Sequence, residues 1–214
     1  MTLAAQLHQL RREGPLTHEW AEAAITLVHE QGFPGWLGRG AILQGWALAE
    51  QRQVEERIAQ MRHGLATCQA IGVGTFHSYN LALLAEAYGK VGQAGEGLTA
   101  LAEALALVDK SGERFYEAEL YRLKGTLTLQ SKVPGSKSKV EEAEECFQKA
   151  IEIARKQQAK SLELRAVTNL ARLWQQQGKK EEAQRMLAEI YGWFTEGFDT
   201  KDLQEAKALL EELT

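Results

Sequence analysis

Four small residues stand at a nearly fixed interval along this chain: Gly45, Ala85, Gly125 and Ala171, separated by 40, 40 and 46 residues. Three further series keep step with them: Arg57, Gly97, Ala143 and Ala183; Met61, Leu101, Phe147 and Leu187; Gly64, Ala104, Ala150 and Ile190. The six extra residues of the third unit fall between the first series and the second. A period of about 20–50 residues predicts a solenoid, because each unit is too small to bury its own apolar face and must lean on its neighbours. A chain of 214 residues could hold one or two compact domains. The repeat instead predicts a single elongated domain over 1–214.

Within each unit the apolar residues recur at helical spacing. Leu81, Leu84, Ala85 and Tyr88 mark one face, and Leu98, Leu101, Leu105 and Val108 the next. The glycine-rich stretch 89–95 between them ends one helix and starts another. Each unit therefore reads as helix, tight turn, helix, with full units at 38–72, 78–112, 118–158 and 164–196. In the fourth, Leu162–Gln177 forms the first helix, Gly178 closes it, and the second runs from Lys180 to Glu196. The second helices open on acids (Glu55-Glu56, Glu96, Glu141-Glu142, Glu181-Glu182), which suits the positive end of a helix dipole better than paired-carboxylate catalysis. Residues 1–33 read as a partial or divergent unit, broken at Gly14-Pro15. Residues 199–214 read as a capping helix with Leu203, Ala206, Leu209, Leu210 and Leu213 on its apolar stripe and Asp199 or Thr200 at its N-cap. The insertion in the third unit, the lysine-rich stretch 131–139, reads as a solvated loop.

Composition removes several function classes. A formal charge of −4 with both signs interspersed lacks the basic face of a nucleic-acid-binding domain. No apolar run approaches the roughly 18 residues of a membrane span, and Met1–Arg12 is amphipathic rather than a leader sequence. Cys68 and Cys146 sit at non-equivalent positions within helical patterns and read as small packing residues of a cytoplasmic protein. His8, His18, His29, His63 and His77 show no metal-ligand spacing. Gly95-x-Gly97-x-x-Ala100 matches a dinucleotide fingerprint only nominally, since a helix and not a strand precedes it. No P-loop and no nucleophile signature occurs. The reading is of a chain that is not an enzyme and carries neither cofactor nor metal.

The recurring residues are those of the tetratricopeptide repeat: Leu84-Ala85, Tyr88, Gly92, Gly97, Leu101 and Ala104 in the second unit; Leu170-Ala171, Trp174, Gly178, Ala183, Leu187 and Ile190 in the fourth; Ala143, Phe147 and Ala150 in the third. The chain resembles that family in a long-repeat bacterial form, with 40 residues where the basic unit has about 34 and without the terminal proline of each unit. Leu81–Gly125 and Ala154–Leu213 further resemble the C-terminal helical region of bacterial proteins that join a nucleotide cyclase to an AAA-type ATPase. The resemblance implies an all-α fold, a right-handed α-α superhelix of antiparallel helix pairs, and a non-catalytic scaffold or sensor arm of a larger signalling protein.

In that family the first helices line the concave face. Counting from the recurring small residue places Arg39 and Trp46 there from the first unit, Tyr79, Glu86 and Lys90 from the second, Arg122 from the third, and Arg165, Asn169 and Arg172 from the fourth. Glu50 falls on the same face. Trp46 and Tyr79 read either as amphipathic anchors for a partner or as packing between repeats. The late arginines suit an acidic segment, unless they pair with neighbours, as Arg122 can with Glu119. The implied partner is a protein or peptide segment, or another domain of the same polypeptide, with no nucleic acid and no membrane. A small-molecule sensor and self-association through the apolar stretch Leu3–Leu10 are the alternatives.

Overall fold

The computed structural model describes residues 1–31, 34–49, 54–72, 74–131 and 138–214. Glu50 and most of the lysine-rich insertion lie outside the described residues. Among the described residues there are eleven α-helices and no strand: α1 (Thr2–Leu10), α2 (Gly14–Gln31), α3 (Pro34–Leu48), α4 (Val54–Ala70), α5 (His77–Lys90), α6 (Ala94–Ser111), α7 (Glu117–Gln130), α8 (Lys139–Lys156), α9 (Lys160–Gln176), α10 (Lys180–Tyr191) and α11 (Lys201–Leu213). The fold is all-α, as the periodicity predicts. None of these helices is long and apolar enough to cross a membrane.

The chain divides into two compact units, Met1–Glu113 and Arg114–Thr214. In the first, α1 pairs with α2, α3 with α4 and α5 with α6; α3 also rests on α1 and α2, and α5 on α3 and α4. In the second, α7 pairs with α8 and α9 with α10, α9 rests on α7 and α8, and α11 covers α9 and α10.

The four series explain how the hairpins close. Gly45 of α3 faces Met61 of α4: a Cβ there would lie 2.5 Å from the Met61 Cγ. Gly125 of α7 faces Phe147 of α8, whose ring would stand 2.7 Å from an added Cβ. The first series is thus small because the third is large. Where the third-series residue is only leucine, at Leu101 and Leu187, the first-series residue is alanine, and all four of these side chains are fully buried. Between Gly125–Phe147 and the two Ala–Leu pairs volume is traded, as a close-packed interior requires, whereas Gly45 makes room for the longer but no bulkier Met61 side chain. The aromatics three residues later, Tyr88 and Trp174, close the first helices. Each carbonyl accepts the N–H five residues on, from Gln93 (3.0 Å) and Lys179 (2.9 Å), across a left-handed glycine, Gly92 or Gly178. Glu55, Glu56, Glu96, Glu141, Glu142, Glu181 and Glu182 all fall in the first turns of second helices, where the dipole favours them.

The same register extends one period further towards the N-terminus. Ala5, Thr17, Ala21 and Ala24 stand 40 residues before Gly45, Arg57, Met61 and Gly64, and all are buried between α1 and the helices beside it or within the α2 packing face. The first hairpin therefore repeats the design of the others, with a first helix of nine residues.

Two local expectations are corrected. The second helix of the fourth unit stops at Tyr191 rather than Glu196. Trp193 and Phe194 donate to Ile190 and Tyr191 in three-residue turns, and this tightening carries Phe194 back onto the core beside Tyr191. Thr200 occupies the N-cap of α11, but its hydroxyl donates backwards to the Gly197 carbonyl (2.7 Å) instead of accepting from the helix. The stripe of α11 seats as the spacing predicts: Leu203, Ala206, Leu209 and Leu213 are buried and Leu210 packs at the margin.

Candidate functional site

In the first unit the first helices carry a buried polar ladder. Arg39 of α3 lies between the rings of Trp36 (5.0 Å) and Phe76 (4.5 Å) and donates to the Gln6 side-chain oxygen (3.2 Å). Burial holds its pKa below the usual guanidinium value, although the Glu113 carboxylate acts in the opposite sense. Phe76 reaches this position from a left-handed backbone (φ 63°), and its N–H is bonded to both Glu113 carboxylate oxygens at 3.1 and 3.2 Å. The Tyr79 hydroxyl donates to Gln9 of α1 (2.7 Å), and its ring meets Phe76 edge-on. Trp46 donates its indole N–H to Glu86 (2.7 Å), beneath the Lys90 ammonium, which lies 5.3 Å from the ring centroid and 3.7 Å from Glu86. Trp46 and Tyr79 are each 1% exposed. In this geometry they fasten α1, α3 and α5 together, and the open edge of the set is Glu86 and Lys90.

In the second unit the charged residues form a network of their own. Glu119 holds Arg122 through two hydrogen bonds (2.8 and 3.0 Å) and lies 3.7 Å from Arg165. Arg165 in turn donates to Asp202 at the start of α11 (2.7 Å), with its side chain 6% exposed. Burial disfavours the Arg165 charge, but Glu119 and Asp202 outweigh it, so its pKa is raised. Asn169 bridges to Thr126 of α7 (3.0 Å). Arg172, two turns beyond Arg165, is exposed and has no hydrogen bond or ion pair among the described residues. The network thus divides the α7–α9 surface of this unit. Its α11 end is sealed by the chain's own carboxylates, and its far end, from Thr126 and Asn169 to Arg172, is open.

Outside these rows, Glu163 is buried between Arg155 and Lys160 (both 2.7 Å), and α8, α9 and α10 enclose an open cleft of about 380 Å³ lined by Ile151, Leu170, Trp174 and Met186. Among the described residues no group of three or more His, Cys, Asp or Glu side chains is placed to hold a metal.

These hairpins, with small residues at the crossing of paired helices, define a tetratricopeptide-like helical repeat. No protein-family model matches the chain, and no curated protein does. Solved structures do. BtubC (BKLC) from P. vanneervenii superposes with a TM-score of 0.67 at 16% identity, over 95% of this chain and 89% of that one. Two structures of a putative kinesin light chain of Podosopora anserina with nearly identical TPR-like repeats, one of them a point variant, superpose at 0.57 and 0.59 with 18% and 19% identity. They cover 99% and 89% of this chain, and 93% and 91% of their own. At such identities the likeness is one of fold.

Residues that the sequence does not announce complete both sets. Gln6 and Gln9 lie on the buried stripe of α1 with Thr2 and Ala5, a spacing that is legible, but their side chains would be read as solvent-facing. Phe76 sits in a connection, and Asp202 stands in the first turn of α11, where an acid is the ordinary expectation on any helix. Phe76 nonetheless keeps the period, 40 residues after Trp36 and 40 before Tyr116, whereas Asp202 carries no repeat signal.

Proposed function

We propose that the chain is a non-catalytic protein-interaction module whose second unit takes an acidic segment, of a partner or of the same polypeptide, along the open edge of α7 and α9. The observation that carries this reading is Arg172. It occupies the position that the repeat directs inward, it is exposed, and it has no carboxylate partner among the described residues, whereas Arg122 and Arg165 are held by Glu119 and Asp202. Asn169 and Thr126 add hydrogen-bonding groups beside it, and Leu129 adds apolar surface. Helical repeats suit such work because the scaffold is rigid while exposed positions on successive helices vary independently. The resemblance of Leu81–Gly125 and Ala154–Leu213 to the helical region of cyclase–ATPase proteins supports placement in the cytoplasm, as the regulatory arm of a larger signalling polypeptide.

An array of acidic, neutral and basic peptides, followed by anisotropy titration of the best binder, tests the reading. Capture should favour acidic peptides, weaken with salt and fall about tenfold in Arg172→Glu, as expected for a partly exposed charge contact. Equal binding by the variant, or no preference for acidic peptides, rejects it.

A further inference from the structure

We propose that Arg39 anchors a carboxylate-binding site in the first unit, built with Gln6, Trp36 and Phe76. The site is independent of the Arg172 edge. Arg39, Tyr79, Glu119 and Arg165 occupy one repeat position, at spacings of 40, 40 and 46 residues. The two arginines are equally buried, at 6% and 7% exposed. They differ in what surrounds the charge. Arg165 has Asp202 at 2.7 Å and Glu119 at 3.7 Å. Arg39 has no carboxylate within ion-pair distance among the described residues, and its hydrogen bond goes to the neutral Gln6 side chain at 3.2 Å. Tyr79, which follows it in the series, is neutral too and donates its hydroxyl to Gln9. Glu113 is near enough to favour the Arg39 charge, but both of its oxygens are engaged by the Phe76 N–H. Burial therefore prevails at Arg39, whereas the carboxylates prevail at Arg165. Buried charges are as a rule paired, and a guanidinium kept without a counter-ion marks the place that a ligand's negative charge would take.

The surrounding rings select the shape of the anion. Trp36 and Phe76 lie over the guanidinium at 5.0 and 4.5 Å, so the donors that Gln6 leaves over point along its edge. A planar carboxylate can lie in the guanidinium plane and accept two parallel hydrogen bonds there. A tetrahedral phosphate would carry oxygens out of that plane, towards the rings. Trp36 is 43% exposed and forms the wall that meets solvent. Phe76 forms the inner wall, held by Glu113 in a left-handed backbone that a bulky side chain rarely adopts. Such strain persists only where the surroundings enforce it, and its effect here is to lay a ring against Arg39. The carboxylate comes from an acidic side chain of a bound segment or from a free organic acid, and the chemistry is the same for both.

The test uses the full chain carrying Arg172→Glu, so that the edge of the second unit takes no part, with arginine isotopically labelled at Nε. Glutarate, a blocked Gly-Glu-Gly peptide and inorganic phosphate are titrated separately at matched ionic strength, and Arg39→Met assigns the Arg39 resonance. That resonance should shift saturably with glutarate and with the peptide, and phosphate should bind at least about tenfold more weakly. A peptide that saturates at about one-tenth of the glutarate concentration supports the site and assigns it to an acidic segment; equal saturation supports it and assigns a free organic acid. Glutarate at about ten times its half-saturating concentration should also raise Tm by about 3–6 °C, and Arg39→Met, whose thioether still packs against the rings, should lose that rise. No saturable shift at Arg39 with either carboxylate, phosphate binding as tightly as glutarate, or an undiminished Tm rise in Arg39→Met overturns the proposal.

Discussion

The volume exchange between the first and third series can be tested by moving one hairpin's solution into another. In α7–α8 glycine faces phenylalanine; in α5–α6 and α9–α10 alanine and leucine hold the same positions. A methyl group added at Gly125 would stand 2.7 and 2.9 Å from Phe147 ring carbons and 3.0 Å from the Ala143 carbonyl oxygen, all inside normal contact. Overpacking of that kind costs about 1–3 kcal/mol. Alanine returns about 1 kcal/mol of helix propensity, so Gly125→Ala should destabilise by about 1 kcal/mol, within a range of roughly 0–2. Phe147→Leu alone leaves a void against glycine and should cost about 1–2 kcal/mol. The double variant reproduces the Ala–Leu pair of the neighbouring hairpins. It should fall within about 0.5 kcal/mol of the wild-type chain, which makes the coupling about 2–3 kcal/mol in favour of the pair. Urea denaturation of all four proteins, followed by far-ultraviolet circular dichroism, measures the cycle. Additive losses, with a coupling below about 0.4 kcal/mol, would show that the two positions do not share one volume and would refute the pairing of the two series.

Other consequences follow from the charged and thiol groups. Asp202→Asn removes the carboxylate nearest the buried Arg165, with Glu119 standing farther off, and should cost about 2–3 kcal/mol in the same urea assay; a loss below about 0.5 kcal/mol would contradict the pairing. Burial raises the Glu163 pKa, but Lys160 and Arg155 lower it by more, so its folded value lies below the usual 4.5. Its contribution is therefore fully present above about pH 4.5 and is lost as pH falls through the depressed folded value; Glu163→Gln should flatten the acid limb of a Tm-against-pH curve and leave its neutral-to-alkaline slope unchanged. Cys68 and Cys146 are buried, and burial raises both thiol pKa values, so Ellman's reagent should label neither in the native chain on the timescale of its full reaction in urea.

Much of the fold is legible because packing imposes a period. Gly45, Ala85, Gly125 and Ala171 are small for one shared reason, close helix approach, and their third-series partners lie where helix geometry demands. The Leu203–Leu213 stripe is legible for the same reason. The extra N-terminal unit is equally open to view in Ala5, Thr17, Ala21 and Ala24, but its short first helix hides it. The polar side chains are another matter. Arg39, Trp46, Tyr79 and Arg165 do stand on first helices, and one partner keeps the period, since Glu86 lies 40 residues after Trp46; Gln6, Gln9 and Asp202 lie 33, 70 and 37 residues from the side chains they meet. A single sequence shows that an arginine recurs on a first helix; it does not show that a carboxylate from the last helix meets it there. Arg165 and Arg172 look alike in the pattern and differ in the structure for that reason alone.

The register of small against large residues underlies the hairpins that position Arg172, and nuclear magnetic resonance reads it without any substitution. With glycine labelled at Cα, the Gly125 Hα resonances should be shifted by the Phe147 ring current and show nuclear Overhauser contacts to that ring, while the Gly45 Hα resonances should contact the Met61 side chain. Random-coil shifts at Gly125, with no contact to Phe147, would contradict the hairpin register from which the rest is built.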